Sequence, residues 1–232
     1  MQYDRIEKII NKDILTKIQD NHIYIFGLGG VGSYVLEALA RTGIKEISLI
    51  DFDVVDITNL NRQLIALNTT IGQKKIDIAE KRIKDINPQV IVHKYDKFLN
   101  DENIDEFHLD KADYIIDAID FVKGKIALAT YASTHNIPII SAMGTGNKMD
   151  YTSYRITDIT KTKICPLAKK MRLELRNKGV KHLKVLYSEE IPIVKVTPPG
   201  STSYMPGIAG LMIAGEVIKD LKEKYENEET IC

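Results

Sequence analysis

The sequence predicts an α/β fold: a doubly wound, mostly parallel sheet extended at its C-terminal end by antiparallel strands. Three observations predict it. Apolar, β-rich runs alternate with amphipathic helical stretches from His22 to Ser141, the pattern that builds parallel sheets with helices on both faces. Gly27, Gly29, Gly30 and Gly32 separate the first such run from the first such helix. Asp51 follows about 20 positions on, completing the strand, glycine turn, helix, strand and acid of a Rossmann-like nucleotide-binding unit. After about residue 142 the alternation gives way to shorter, mixed elements, so the chain reads as one domain, 1–232, with a nucleotide-binding core over about 20–145 and an extension over about 146–232.

The elements follow in order. Residues 4–18 place Ile6, Ile9, Ile10, Ile14, Leu15 and Ile18 on one helical face, which predicts an amphipathic helix before the first strand. His22–Phe26 is that strand. Val35, Leu36, Leu39 and Ala40 repeat at helical spacing and Gly43 supplies a stop. Ile47–Ile50 is the second strand. Residues 52–71 are polar, irregular and long for a simple connection, a length that tends to carry function or disorder. Ile76, Ala79, Ile83 and Ile86 mark a helix stopped at Asn87-Pro88. Val90–His93 reads as a strand, and Asn100 or Asp101 as the cap of a short acidic helix. A strand at Tyr114–Ile116, a helix over 122–135 and a strand at Ile137–Ser141 complete the alternation. Beyond it, strands are expected at Thr152–Thr157, Leu183–Tyr187 and Ile193–Val196. A helix is expected over 166–178, and a closing helix over 207–225 with Ile208, Leu211, Met212, Gly215 and Ile218 as its apolar face.

Composition narrows the classes. The net charge is zero, so no whole-molecule field attracts nucleic acid and any such surface must be local. Two cysteines, Cys165 and Cys232, exclude a disulfide framework and a four-cysteine structural zinc site. The opening residues carry no apolar signal core, and the most apolar stretch, Gly207–Ile218, is short for a bilayer and holds Glu216. A soluble cytoplasmic protein without membrane insertion is expected.

The glycine turn has a chemical reading. Backbone must turn tightly and approach phosphate closely, and the following helix N-terminus offers free N–H groups and partial positive charge to an anion. Ligands in such sheets sit beyond the carboxyl ends of the strands, where Gly32, Asp51 and Asp120 converge.

The turn reads GLGGVG. Downstream come Asn59-Leu-Asn-Arg62-Gln63, Gly72-Gln-Lys-Lys75 and Asp117-Ala-Ile-Asp120. On these four separated elements, in order and spacing, the chain resembles the ubiquitin-activating-enzyme-like adenylyltransferases. Ala38-Leu-Ala-Arg-Thr-Gly43, Ile86-Asn-Pro88 and Pro166-Leu-Ala-Lys169 with its basic helix resemble the branch that dehydrates threonylcarbamoyladenosine in tRNA. The sulfur-carrier branch usually has paired CxxC zinc ligands, which two cysteines cannot supply. The resemblance implies ATP and magnesium as cofactors, no structural zinc, adenylation of a carboxylate, and a homodimer. It implies that Gly27, Gly29, Gly30 and Gly32 bind the phosphates and Asp51 the ribose. Asn59 and Arg62 contact phosphates, Lys75 neutralises the leaving pyrophosphate and Asp120 holds magnesium. Arg62, Lys75 and Asp120 are thus the catalytic set, and Arg5 reaches the partner subunit's site. A cysteine desulfurase or a sulfur acceptor is a further partner the family suggests. Each residue also has a structural reading: solvated charges for Arg62 and Lys75, a turn for Asn59, a surface ion pair for Arg5. For Asp117 a helix cap or strand-end acid is preferred, and for Cys165 a passive small residue.

A tRNA substrate needs positive surface. Between Lys161 and Lys184 lie nine lysines and arginines and a single acid, Glu174. Lys169, Lys170, Arg172 and Arg176 on the helix are the candidate tRNA contacts. Tyr187 and Tyr204 are candidate base-stacking residues, although core or interface roles suit both better. Three rivals share parts of the site: a nicotinamide-dependent oxidoreductase, a sulfur-carrier adenylyltransferase and a non-catalytic nucleotide sensor. The first leaves Asn59, Arg62, Lys75 and Asp120 unexplained.

Overall fold

The computed structural model describes residues 2–194 and 196–231, with side chains through 229. One seven-stranded sheet runs through it. The strands are β1 (His22–Phe26), β2 (Glu46–Ile50), β3 (Ile91–Tyr95), β4 (Tyr114–Asp117), β5 (Ile139–Ala142), β6 (Tyr154–Asp158) and β7 (Lys184–Ser188). Their order is β3-β2-β1-β4-β5-β7-β6. All neighbours are parallel except β6 and β7. The expected antiparallel extension is therefore a single strand, because β7 still pairs parallel with β5.

The helices are α1 (Lys12–Gln19), α2 (Gly32–Thr42), α3 (Lys75–Ile86), α4 (Val122–His135), α5 (Pro166–Asn177) and α6 (Met205–Ile231). Buried residues of α1, α2, α3 and α6 form the largest core cluster, on one face of the sheet. Those of α4 and α5 form clusters on the other. The result is a three-layer α/β/α sandwich.

Several boundaries differ from the sequence expectation, each for a local reason. The first helix starts at Lys12, not residue 4. Asn11 caps it, its Oδ1 accepting the Asp13 N–H at 2.8 Å, and a good cap overrides a continuous apolar period. Residues 2–9 form turns instead, and Ile9 is 81% exposed. β3 runs to Tyr95 and β5 starts at Ile139, after Pro138, which has no N–H to give a ladder. Asn100 does act as a cap, accepting the N–H groups of Glu102 and Asn103, but the helix that follows is a 3-10 turn at Ile104–Phe107. The described residues among 193–196 are not in a strand. In α6 the buried face is Ala209, Ile213, Ala214, Val217 and Leu221, while Leu211 and Gly215 face solvent. The helix lies so close to α2 that a Cβ on Gly210 would stand 2.4 Å from the Val31 carbonyl oxygen. That approach, not the sequence period alone, sets its rotation.

The strand order reverses between β1 and β4. In an open α/β sheet, a crevice forms at that switch point, beyond the carboxyl ends of the strands. The glycine turn after β1 and the segment after β4 flank it. No helix of the described residues is long and apolar enough to cross a membrane.

Candidate active site

A cavity of about 820 Å³ opens at the switch point. Its floor is the glycine turn. Gly27 has φ +88°, and a Cβ there would meet the Ala118 carbonyl oxygen at 2.8 Å. A Cβ on Gly32 would stand 1.8 Å from the Gly27 carbonyl oxygen. Both positions need glycine, one for its left-handed backbone and close approach, the other for a turn with no room for a side chain. Gly27, Gly29 and Gly30 line the cavity, and Gly32 begins α2 behind them.

Asp51 follows the last residue of β2 and is buried. Its Oδ2 accepts the Leu28 N–H at 2.6 Å and its Oδ1 the Asp53 N–H at 2.9 Å. The carboxylate thus ties β2 to the glycine turn and keeps lone pairs for a hydroxyl donor. Burial raises its pKa, and the Lys75 ammonium and the two N–H groups only partly offset this.

The connection 52–71 is ordered. It holds 3-10 turns at Ile57–Asn59 and Asn68–Thr70 and folds back on the start of α3. The capping box of Asp56 with Asn59 makes the first turn: Asp56 accepts the Thr58 N–H and Asn59 accepts the Asp56 N–H. That box sets Asn59, buried, at the cavity wall. Arg62 lines the cavity too, its Nη1 donating to the Thr58 carbonyl at 2.8 Å and to Asn61 at 2.9 Å. Lys75 opens α3. It is only 4% exposed, and its ammonium meets Asp53 Oδ2 at 2.7 Å. Its ion-pair partner Asp53 is half-exposed, so the ammonium stands at the cavity wall with part of its charge open to exchange for another anion.

Asp120 stands exposed at the cavity wall. The segment carrying it is braced from below. Asp117 and Lys125 are both wholly buried and pair at 2.9 Å; Lys125 also donates to the Ile119 carbonyl at 2.9 Å, and Ser141 donates to Asp117. Asp117 is thus a structural strand-end acid, as preferred from the sequence.

Four features were not read from the sequence. Lys125 is one, since a lysine inside a helix gives no sign of being buried. Asp53, the partner of Lys75, is another. Phe52, Phe98 and Phe121 make an aromatic wall along the cavity, with ring centroids 5.0 and 4.9 Å apart in sequence along it. Gln63 is 7% exposed and also lines the cavity, and its Oε1 is buried without a hydrogen-bond partner. Such an atom is costly unless a ligand or water satisfies it.

Other candidates fall elsewhere. Arg5 is exposed in the N-terminal turns and does not line its own chain's cavity. Leu167, on the first turn of α5, lines the cavity, and a neighbouring groove of about 900 Å³ runs along the same helix. Lys169, Lys170 and Arg176 border that groove and are exposed. Arg172 borders it as well, but its Nη1 is tied to Ile159 and Thr162. Lys184 leaves the basic stripe, because Glu216 and Asp220 pair with it at 2.9 and 2.6 Å. Tyr187 is buried and donates to Glu189, and Tyr204 donates to the Met149 carbonyl. Cys165 is buried at the N-cap of α5, its sulfur accepting the Ala168 N–H at 3.5 Å; Cys232 lies outside the described residues.

Fold and cavity together define a doubly wound α/β protein of the Rossmann-like class, with Arg62 and Lys75 lining the same switch-point cavity as the glycine turn. The chain belongs to the ThiF family, which it matches over residues 3–231. It is 41% identical over 244 aligned residues to the tRNA threonylcarbamoyladenosine dehydratase of Bacillus subtilis (strain 168), covering 97% of this chain and 96% of that one. It is also 41% identical over 170 residues to the dehydratase of the same name from Escherichia coli (strain K12), covering 73% and 63%. Among solved structures it superposes on E. coli tRNA N6-threonylcarbamoyladenosine dehydratase, TcdA, in complex with ATP, with a TM-score of 0.91 at 33% identity over 97% and 96% of the two chains. The AMP complex of TcdA gives a TM-score of 0.89.

Proposed function

We propose that this chain is an ATP-dependent enzyme that dehydrates threonylcarbamoyladenosine in tRNA through an acyl-adenylate. The observation that supports this most is the cavity: Arg62, Lys75 and Asp120 face one glycine turn at the switch point, in a chain that matches a dehydratase of that name along nearly its whole length.

The residues divide the work. The backbone of Gly27, Gly29, Gly30 and Gly32 takes the phosphates, and Asp51 accepts from the ribose hydroxyls. The Phe52, Phe98 and Phe121 wall suits the flat adenine. Asn59 and Arg62 orient the phosphate oxygens, and Lys75 leaves Asp53 for the pyrophosphate side, where charge builds as the leaving group departs. The exposed oxygens of Asp120 are the hard donors a magnesium ion takes beside its waters and phosphate oxygens. Bound there, magnesium would neutralise phosphate charge. Arg5 of the partner subunit completes the site in a homodimer.

A carboxylate oxygen of the threonylcarbamoyl group attacks the α-phosphorus of ATP; the α–β anhydride bond breaks and pyrophosphate departs. A nitrogen or oxygen of the same substituent then attacks the acyl carbon and gives up its proton to solvent. AMP leaves carrying the former carboxylate oxygen. The net change is loss of one water. An intramolecular closure needs positioning and no enzyme nucleophile, in keeping with the capping role of Cys165.

The tRNA backbone would lie along α5, whose first turn borders the cavity and whose Lys169, Lys170 and Arg176 face solvent beyond it. Arg172 contributes through its remaining guanidinium N–H groups. A cytoplasmic location follows from such a substrate, and a cysteine desulfurase or a sulfur acceptor is a candidate partner.

The test uses the purified protein, ATP, magnesium and tRNA bearing threonylcarbamoyladenosine, followed by digestion and mass measurement of the nucleosides. ATP-dependent loss of one water is expected. An unchanged nucleoside, with AMP formed only when a small carrier protein is supplied, would replace this reading by carrier activation.

A further inference from the structure

At the opposite ends of the strands from the cavity, three side chains converge that the reaction does not use. His22 opens β1, Glu46 opens β2 and His93 lies in β3. The parallel register aligns His22 with Glu46 and Ser48 with His93, so all four share one face of the sheet. His22 is separated from the end of β1 by four residues, about 13 Å at strand rise. His22 Nδ1 lies 3.4 Å from Glu46 Oε1, and His93 Nε2 lies 2.8 Å from that same oxygen. The three ligand atoms all fall within 4.8 Å of one another.

The geometry points to a divalent transition-metal site, with His22 Nδ1, His93 Nε2 and a Glu46 carboxylate oxygen as ligands and water in the remaining position. Two imidazoles and a carboxylate are the donor set of three-ligand zinc sites, whose ligand distances near 2.0–2.2 Å put neighbouring ligand atoms about 3.3 Å apart in a tetrahedron. The two histidine–glutamate spacings, 3.4 and 2.8 Å, bracket that value, and side-chain rotation of the partly exposed Glu46 and His93 would bring the third within it. His22 Nε2 is 2.8 Å from the buried Ser48 hydroxyl, which orients the ring with Nδ1 toward Glu46. Asp113, which accepts the His22 N–H at 2.8 Å, adds negative charge nearby, opposed by Lys111. Glu46 and His93 are partly exposed, 36% and 43%, so an ion can enter and keep a water. The cysteine count excludes a four-cysteine site, not this one. Bound across β1, β2 and β3, an ion would clip together one end of the sheet.

Cobalt(II) titration of the whole, nucleotide-free protein tests this, because a four-coordinate ion absorbs in the visible. One cobalt per chain is expected, displaced by zinc. Binding should weaken by at least about 100-fold in His93→Ala and in Glu46→Gln, both at exposed positions that spare the fold. Zinc should raise the melting temperature of the parent protein and not of His93→Ala. No visible bands at millimolar cobalt, or bands that persist in His93→Ala and vanish in Asp120→Asn, would overturn the assignment.

Discussion

Replacing Lys125 with methionine keeps the length of the side chain and removes one charge from the molecule's interior. Lys125 and Asp117 are both wholly buried, 2.9 Å apart, and the ammonium also holds the Ile119 carbonyl. Methionine leaves Asp117 with the Ser141 hydroxyl and the Ile119 N–H as its partners and no countercharge. Breaking a buried pair in this way costs about 3–5 kcal/mol, or ~6–20 °C of melting temperature for a chain of this size. Urea denaturation gives the free energy and a thermal melt the second reading. The double variant Lys125→Met with Asp117→Asn carries neither charge of this pair, and should recover at least about 1 kcal/mol over Lys125→Met alone. A single variant within about 1 kcal/mol of the parent, or a double variant no better than the single, would refute the reasoning. Because the ammonium braces Ile119 beside Asp120, the single variant should also lose ATP turnover under conditions where it remains folded.

Four further outcomes follow from particular positions. Lys75→Met should lower pyrophosphate release by ~10²-fold or more, the scale of one lost charge-stabilising donor. It should change stability by about 1 kcal/mol, since it frees a half-exposed Asp53 and removes one of the groups that offset the burial of Asp51; a stability loss as large as the loss of turnover would make Lys75 a structural residue. Gly32→Ala, whose Cβ would meet the Gly27 carbonyl oxygen at 1.8 Å, should abolish ATP binding and lower the urea midpoint. Gly215→Ala, exposed on α6 with nothing within 4 Å, should raise that midpoint, because helix propensity adds about 0.5–1 kcal/mol of stability. Glu37 sits between Arg82 and Arg41; burial pushes its pKa up, but the two guanidiniums outweigh this and hold it below the ordinary value near 4.5. A carboxylate lowered on folding stabilises above its unfolded pKa and loses that contribution as pH falls through the folded one. The stability difference between the parent and Glu37→Gln, about 1 kcal/mol at pH 7 given the half-exposed arginines, should therefore shrink below pH 4.5 in pH-dependent melts.

Much of this was legible in the chain because it depends on local chemistry. The glycine turn, the helices at Val122–His135 and Pro166–Asn177 and the strand His22–Phe26 announce themselves by turn residues and period. Asp51, Lys75 and Asp120 sit at predictable ends of predictable elements, so the switch point gathers them, whereas Asn59 and Arg62 were marked by their motif inside a connection whose 3-10 turns the sequence did not reveal. What stayed hidden depends on partners far away in sequence. Whether Lys184 is a surface cation is decided by Glu216 and Asp220 on α6. The solvent face of Leu211 is decided by how closely Gly210 approaches α2. The direction of β7 depends on its crossover, and the His22, Glu46 and His93 cluster exists only once three parallel strands are in register.

The acyl-adenylate is the centre of the account, and oxygen transfer tests it most directly. tRNA would be prepared with threonylcarbamoyladenosine carrying ¹⁸O in its carboxylate, then converted with unlabelled ATP and magnesium in unlabelled water. Adenylation followed by ring closure predicts one ¹⁸O in the phosphate of AMP for each nucleoside that loses water, and unlabelled pyrophosphate. Labelled inorganic phosphate with ADP as the other product, or unlabelled AMP beside the dehydrated nucleoside, would contradict it.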